Sequence, residues 1–173
     1  MMKKAKLLLE PAKLRTWFLC EIPLLLVLIL TAVLDPAEGY EPGSGGFALY
    51  IPVAALAVLF PMLLNWIKGF LVLYFANDSS GFVESAVKLG RIHSFMSLAE
   101  ALSTLLLFLI RLSGAYQVLS QIQLFGHELI YAFLFWLFLR EKSEASYKRC
   151  AVISMVCFLA SSAWLLLSVI ASI

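Results

Sequence analysis

Apolar residues in this chain fall into five long blocks separated by short polar stretches, a pattern that predicts a bundle of five membrane-crossing helices. The blocks are Trp17–Leu34, Phe47–Lys68 with an apolar extension to Phe75, Phe95–Leu112, Ile122–Leu139 and Cys150–Ile173. Each block is continuously apolar, whereas a membrane-barrel strand alternates over about ten residues, so the expected fold class is all-α. No internal repeat or low-complexity tract divides the chain, and residues 1–173 read as a single membrane domain.

Composition strengthens this reading. Of 173 residues, 62% are hydrophobic and only 14% are charged, against about a quarter charged in a soluble domain. The mean hydropathy is +0.95. The net charge is only +2, and no basic face stands outside the clusters flanking the apolar blocks, so nucleic acid is not an expected partner. The first block, with 18 residues and no clean small-x-small cleavage site after it, reads as a retained anchor rather than a signal peptide.

The placement of Lys and Arg predicts orientation. Lys3, Lys4, Lys6, Lys13 and Arg15 precede the first block, Lys88 and Arg91 precede the third, and Arg140, Lys142, Lys148 and Arg149 precede the fifth. The intervening "DPAEGYEPGSGG" and "SGAYQVLSQ" carry no cation. The positive-inside rule therefore predicts a cytoplasmic N-terminus, five spans and an outer C-terminus.

The second block needs an adjustment. As a helix, residues 47–75 would reach about 43 Å, against a hydrocarbon core of about 30 Å. Lys68 is the expected exit point, its ammonium snorkelling to the inner boundary. A short amphipathic cytoplasmic helix is predicted over 79–91, with Asp78–Ser80 offering N-caps and Glu84 and Lys88 forming an i,i+4 pair. Pro11 is expected in the first turn of the first helix.

Ionisable groups inside apolar blocks are the candidate functional residues: Glu21, Lys68, Glu100, Arg111, His127 and Glu128. "HELIY" at 127–131 opens like a zinc-protease signature, but that signature requires a second His at i+4, where this chain has Tyr131. No metal site is expected. Arg111 and Glu128 lie near the facing ends of consecutive blocks, and an ion pair between them would offset the cost of burying either. In the third block, Ser97, Glu100, Thr104 and Arg111 share one face, which must turn from lipid, either for helix association or as a solute path.

The fifth block carries small residues, including Ser154, Cys157, Ser161 and Ser168, in a stripe suited to close helix packing. Cys20, Cys150 and Cys157 show no disulfide or metal spacing and read as packing residues. No GxSxG, GxxxxGK[ST] or GxGxxG occurs, so neither catalytic residues nor a cofactor is expected.

The arrangement resembles the Yip-domain family, the Ypt/Rab-interacting membrane proteins and their bacterial relatives. The likeness rests on the proline-led basic "EPAKLRTWF", an outer link without cations, a long second span, "NDSSGFVESAVKLGRIHS" and "REKSEASYKRC" before a final span. The Asp-Leu-x-Gly-Pro type signature of the eukaryotic members and their long hydrophilic N-terminal region are missing. The resemblance implies a non-enzymatic five-span protein of membrane organisation, or an accessory subunit binding other membrane proteins or itself within the bilayer. It offers no catalytic residue to carry over. The rival readings are a small transporter or ion or proton channel subunit using the intramembrane carboxylates, and a lipid-modifying enzyme. The expected location is a bacterial inner membrane, with a eukaryotic endomembrane as the alternative.

Overall fold

The computed structural model describes residues 7–34, 45–111 and 116–171. Among these residues the fold is all-helical. In chain order the helices are α1 (Leu14–Leu34), α2 (Gly45–Phe75), α3 (Phe82–Lys88), α4 (Gly90–Ile110), α5 (Tyr116–Lys142) and α6 (Tyr147–Ala171). Four helices in the described residues are long and apolar enough to cross a membrane: Leu14–Leu34, Ala48–Phe75, Gly90–Ile110 and Val118–Lys142. Their outer faces carry exposed Leu, Ile, Val and Phe, including Leu26, Leu56, Leu102, Leu109 and Ile122. Such surfaces suit acyl chains rather than water.

Packing proceeds mainly through two pairs, α1 parallel to α4 and α5 antiparallel to α6, joined by α4 against α5. The largest core cluster gathers Val72 and Leu73 of α2, Ile92 and Met96 of α4, Phe135 and Leu139 of α5 and Cys150 of α6. It lies toward the end of the bundle where α2 and α5 finish and α4 and α6 begin.

Several boundaries differ from the sequence expectation. The third block starts at Gly90 instead of Phe95, because Ile92, His93 and Ser94 are buried and belong to the packed helix. The fourth begins at Tyr116 instead of Ile122, since the polar residues there do not break a backbone that still forms its internal hydrogen bonds. The apolar extension beyond Lys68 is helical: α2 continues unbroken to Phe75, through Pro52 and Pro61. At 31 residues it reaches about 46 Å, so a crossing requires tilt or an emergent end. Pro11 lies three residues before α1, in non-helical chain.

The end of α2 is built by a specific stop. Asn77 adopts φ 65°, a left-handed conformation that Asn tolerates better than most residues. Its N–H donates to the Tyr74 carbonyl and that of Asp78 donates to Leu73, both at 3.0 Å, the bond pair of a Schellman motif. Arg149 then covers the Phe75 carbonyl, through Nε at 3.0 Å and Nη2 at 2.7 Å, and also donates to Asn77 Oδ1.

The expected cytoplasmic helix is shorter than 79–91, spanning Phe82–Lys88. Its N-cap is Gly81 and makes no side-chain capping bond. Asp78 instead closes a turn: Oδ1 accepts from the Ser80 N–H at 2.9 Å and from the Ser80 hydroxyl, and both carboxylate oxygens accept from Lys88 Nζ. The expected Glu84–Lys88 pair is present at 3.5 Å. Partial burial alone would raise the Asp78 pKa, but the hydrogen bonds from Ser80 and Lys88 outweigh it and hold the carboxyl below its ordinary value of 3.8. A depressed carboxylate stabilises the fold above its unfolded pKa, and that contribution disappears as pH falls through the folded value. Acidification from neutral to below 3.8 is therefore expected to loosen the 78–88 turn selectively. Faster amide exchange there than in α4, with the difference abolished in Asp78→Asn, would confirm it.

Close backbone approach pins the N-terminal segment. The Ala12 N–H donates to the Val87 carbonyl at 2.9 Å, and a Cβ placed on Gly90 would stand 2.8 Å from the Ala12 carbonyl oxygen. Only glycine lets the two backbones meet there. Arg91 reinforces the junction by pairing with Glu10 at 3.2 Å.

Candidate functional site: a polar seam inside the bundle

Polar side chains of α4 and α5 face each other in antiparallel register. On α4 the series is His93, Ser97, Glu100, Ser103 and Thr104, at helical spacings of three and four. On α5 it is Gln123, His127, Glu128 and Tyr131. His93 Nδ1 lies 3.3 Å from Tyr131 Oη. Further along, Ser103 Oγ lies 3.3 Å from His127 Nε2 and receives a 2.6 Å bond from Gln123 Nε2. From His93 to Thr104 the seam runs about 16 Å along the helix axis, roughly half a hydrocarbon core.

Two flanking helices complete the seam. From α2, Lys68 Nζ donates to both Glu128 oxygens at 2.9 and 3.0 Å and stands 5.3 Å from the Tyr131 ring centroid. The two charged side chains retain only 20% and 19% exposure, so pairing is what makes their burial tolerable. From α1, Glu21 Oε1 accepts from Trp17 Nε1 at 2.9 Å and from the Ser97 hydroxyl at 2.5 Å.

His93 occupies the junction of all four helices. It is fully buried and stacks on Trp17 with centroids 4.3 Å apart and planes 12° from parallel. Gly69 of α2 makes room for it: a Cβ there would meet Leu89 Cδ1 at 2.7 Å and His93 Nε2 at 3.2 Å. His93 Nε2 has no hydrogen-bond partner among the described residues. Glu100, half-buried in the same seam, likewise makes no side-chain hydrogen bond or ion pair among them.

The sequence-predicted residues thus separate into groups. Glu21, Lys68, Glu100, His127 and Glu128 gather in or beside the seam. Glu128 takes Lys68, and not Arg111, as its ion-pair partner. The physical reason is depth. Because α5 starts at Tyr116, Glu128 lies about 18 Å into the helix by rise, level with Lys68. Arg111 follows α4 about 12 Å beyond Ser103, and its guanidinium lies over the Phe108 ring at 4.4 Å.

In the small-residue stripe of α6, Cys150 and Ser154 are buried, and Cys157 packs against the main core. Ser162 is buried where Ser161 is only half-buried, a one-residue shift from the expected register. Ser168 lies outside the residues whose side chains are described.

Trp17, Gly69, His93, Ser103, Gln123 and Tyr131 were missed by sequence reasoning. A signal existed for two of them: Gln123 and Tyr131 stand four residues either side of the predicted His127, on one α5 face. Tyr131, the residue that spoils the zinc motif, is instead the partner of His93. Among the described residues no group of three or more His, Cys, Asp and Glu side chains is placed to hold a metal ion. No protein-family model matches the chain, and neither does any curated protein or solved structure.

Proposed function

We propose that this chain is a non-enzymatic, five-span integral membrane protein of a bacterial inner membrane, with its N-terminus in the cytosol and its C-terminus outside. Its α4–α5 seam serves as a transfer path for protons or small cations, within a small transporter or channel subunit. The observation that carries this reading is the pair of unsatisfied titratable groups in an otherwise bonded series. Helix association alone is served by groups that satisfy one another, as Glu21 and Glu128 do. His93 Nε2 and the Glu100 carboxylate have no bond partner among the described residues, and a relay needs such open positions where an adhesive does not.

The test is flux. In liposomes holding the purified chain, a potential imposed with potassium and valinomycin should drive proton entry that a trapped pH dye records. Glu100→Gln, which keeps the shape of the side chain, should cut that flux at least tenfold, about 1.4 kcal/mol in barrier, with helicity and melting unchanged. Undiminished flux in Glu100→Gln would remove the relay. The second reading is a Yip-like accessory subunit, supported by the interhelical ties of Glu21 to Ser97 and of Glu128 to Lys68. It predicts no flux in the wild type and loss of an associated membrane protein when Glu128 is replaced.

A further inference from the structure

A separate feature lies outside the seam. Where α2 and α5 end and α6 begins, a cavity of about 570 Å³ opens between residues 76–79 and 142–149. That volume is in the range of small-ligand sites. Its level is informative: two of the candidate membrane spans finish at Phe75 and Lys142, so the cavity sits at the boundary between apolar helix surface and water.

Of its four charged side chains, Asp78 is bonded to Ser80 and Lys88, and the other three form no ion pair with one another among the described residues. Lys142 and Glu144 both line it, both are exposed, and neither makes an ion pair or side-chain hydrogen bond among the described residues. Two opposite charges separated by one residue that do not pair with each other suit a ligand bearing both signs. Arg149 is a third, immobilised charge. Three hydrogen bonds to Phe75 O and Asn77 Oδ1 hold its guanidinium, and none of the described residues takes a bond from Nη1. The first turn of α6, capped by Ser146 Oγ accepting from the Arg149 N–H at 3.3 Å, adds a positive helix end to the same wall.

We infer that this cavity binds a zwitterionic phosphoethanolamine group, its phosphate between Lys142 and Arg149 and its ammonium at Glu144. The phosphate receives charge-assisted bonds from Lys142 and from Nη1 of a guanidinium already fixed in place by its other donors, so little Arg149 entropy is lost on binding. The ammonium end selects against an anionic ligand, because Glu144 would face like charge. The group can come from a membrane phospholipid or from a soluble phosphodiester, and the boundary position of the cavity accommodates both.

The experiment uses the full-length protein in detergent micelles, titrated with phosphatidylethanolamine, phosphatidylglycerol or water-soluble glycerophosphoethanolamine and followed by native mass spectrometry. Phosphatidylethanolamine should bind at least tenfold more tightly than phosphatidylglycerol. Lys142→Ala and Glu144→Ala should each weaken it by about tenfold, the scale of one charge-assisted hydrogen bond. Both positions are exposed, and a melting curve for each variant confirms an intact fold. Competition by glycerophosphoethanolamine would assign the soluble source, and lipid binding without such competition would assign the bilayer. Tighter binding of phosphatidylglycerol, or binding unaffected in both variants, overturns the inference.

Discussion

Lys68→Met is expected to destabilise the protein by about 3 kcal/mol, and the double variant Lys68→Met, Glu128→Leu to recover most of that loss. The single change strands the Glu128 carboxylate among α2, α4 and α5, where the Lys68 ammonium is its bonded cation at 2.9 Å. Removing one partner of a buried pair costs about 3–5 kcal/mol, whereas replacing both with apolar groups of similar volume is often neutral. The low end of that range applies because each side chain keeps about a fifth of its exposure. Lys142→Met, at an exposed site, is the control and should fall within about 0.5 kcal/mol of wild type. Unfolding in mixed detergent micelles would read all four proteins. Equal losses in the single and double variants would show that the pair is not the source of the stability.

Trp17→Ala should cost a comparable amount, about 3–5 kcal/mol, as large aromatic deletions from a packed interior do. Trp17 is only 1% exposed. Its ring stacks on His93 and lies 5.6 Å from Trp66, and its N–H donates to Glu21. Alanine would remove the stack and the donor together. Trp17→Phe separates them in part: it keeps an aromatic face for His93 and loses the hydrogen bond to Glu21 with part of the indole volume, a deficit of about 1–3 kcal/mol. The order wild type, Trp17→Phe, Trp17→Ala in melting temperature is the expected result. A phenylalanine variant as unstable as the alanine one would mean that the Trp17–Glu21 bond within α1, and not the stack on His93, carries most of what Trp17 contributes.

These two predictions turn on residues of unequal legibility. Lys68 and Glu128 are visible in the chain because charge inside an apolar block is expensive and therefore conspicuous. Their pairing is not visible, since they are separated by 60 positions and Arg111 is the nearer cation in sequence. Trp17 carries no such mark, because an aromatic at the start of a span reads equally well as an interfacial anchor. The glycines are similar. Gly69 and Gly90 matter for what approaches them, Leu89 and His93 in one case and Ala12 in the other. Neither neighbour can be read from local spacing.

The stop after α2 divides in the same way. Asn77 and Asp78 announce a break in an apolar run. The guanidinium that seals the exposed Phe75 carbonyl comes from Arg149, 74 positions away. Positive charge before the last block marks a membrane boundary whatever else it does, so the capping role stays hidden behind the topological one.

What the amino-acid order determined by itself is the helical, membrane-embedded class of the protein, the approximate place of its apolar blocks and the set of ionisable groups that must turn from lipid. Those follow from transfer energetics, which act on each segment without reference to the others. Only the tertiary structure decided which polar groups meet: Lys68 with Glu128, Glu21 with Ser97 and Trp17, His93 with Tyr131, and Ser103 with His127. Each such meeting depends on relative rotation and depth of two helices, quantities set by packing across the bundle. An error of a few residues in where a helix starts is enough to exchange one partner for another.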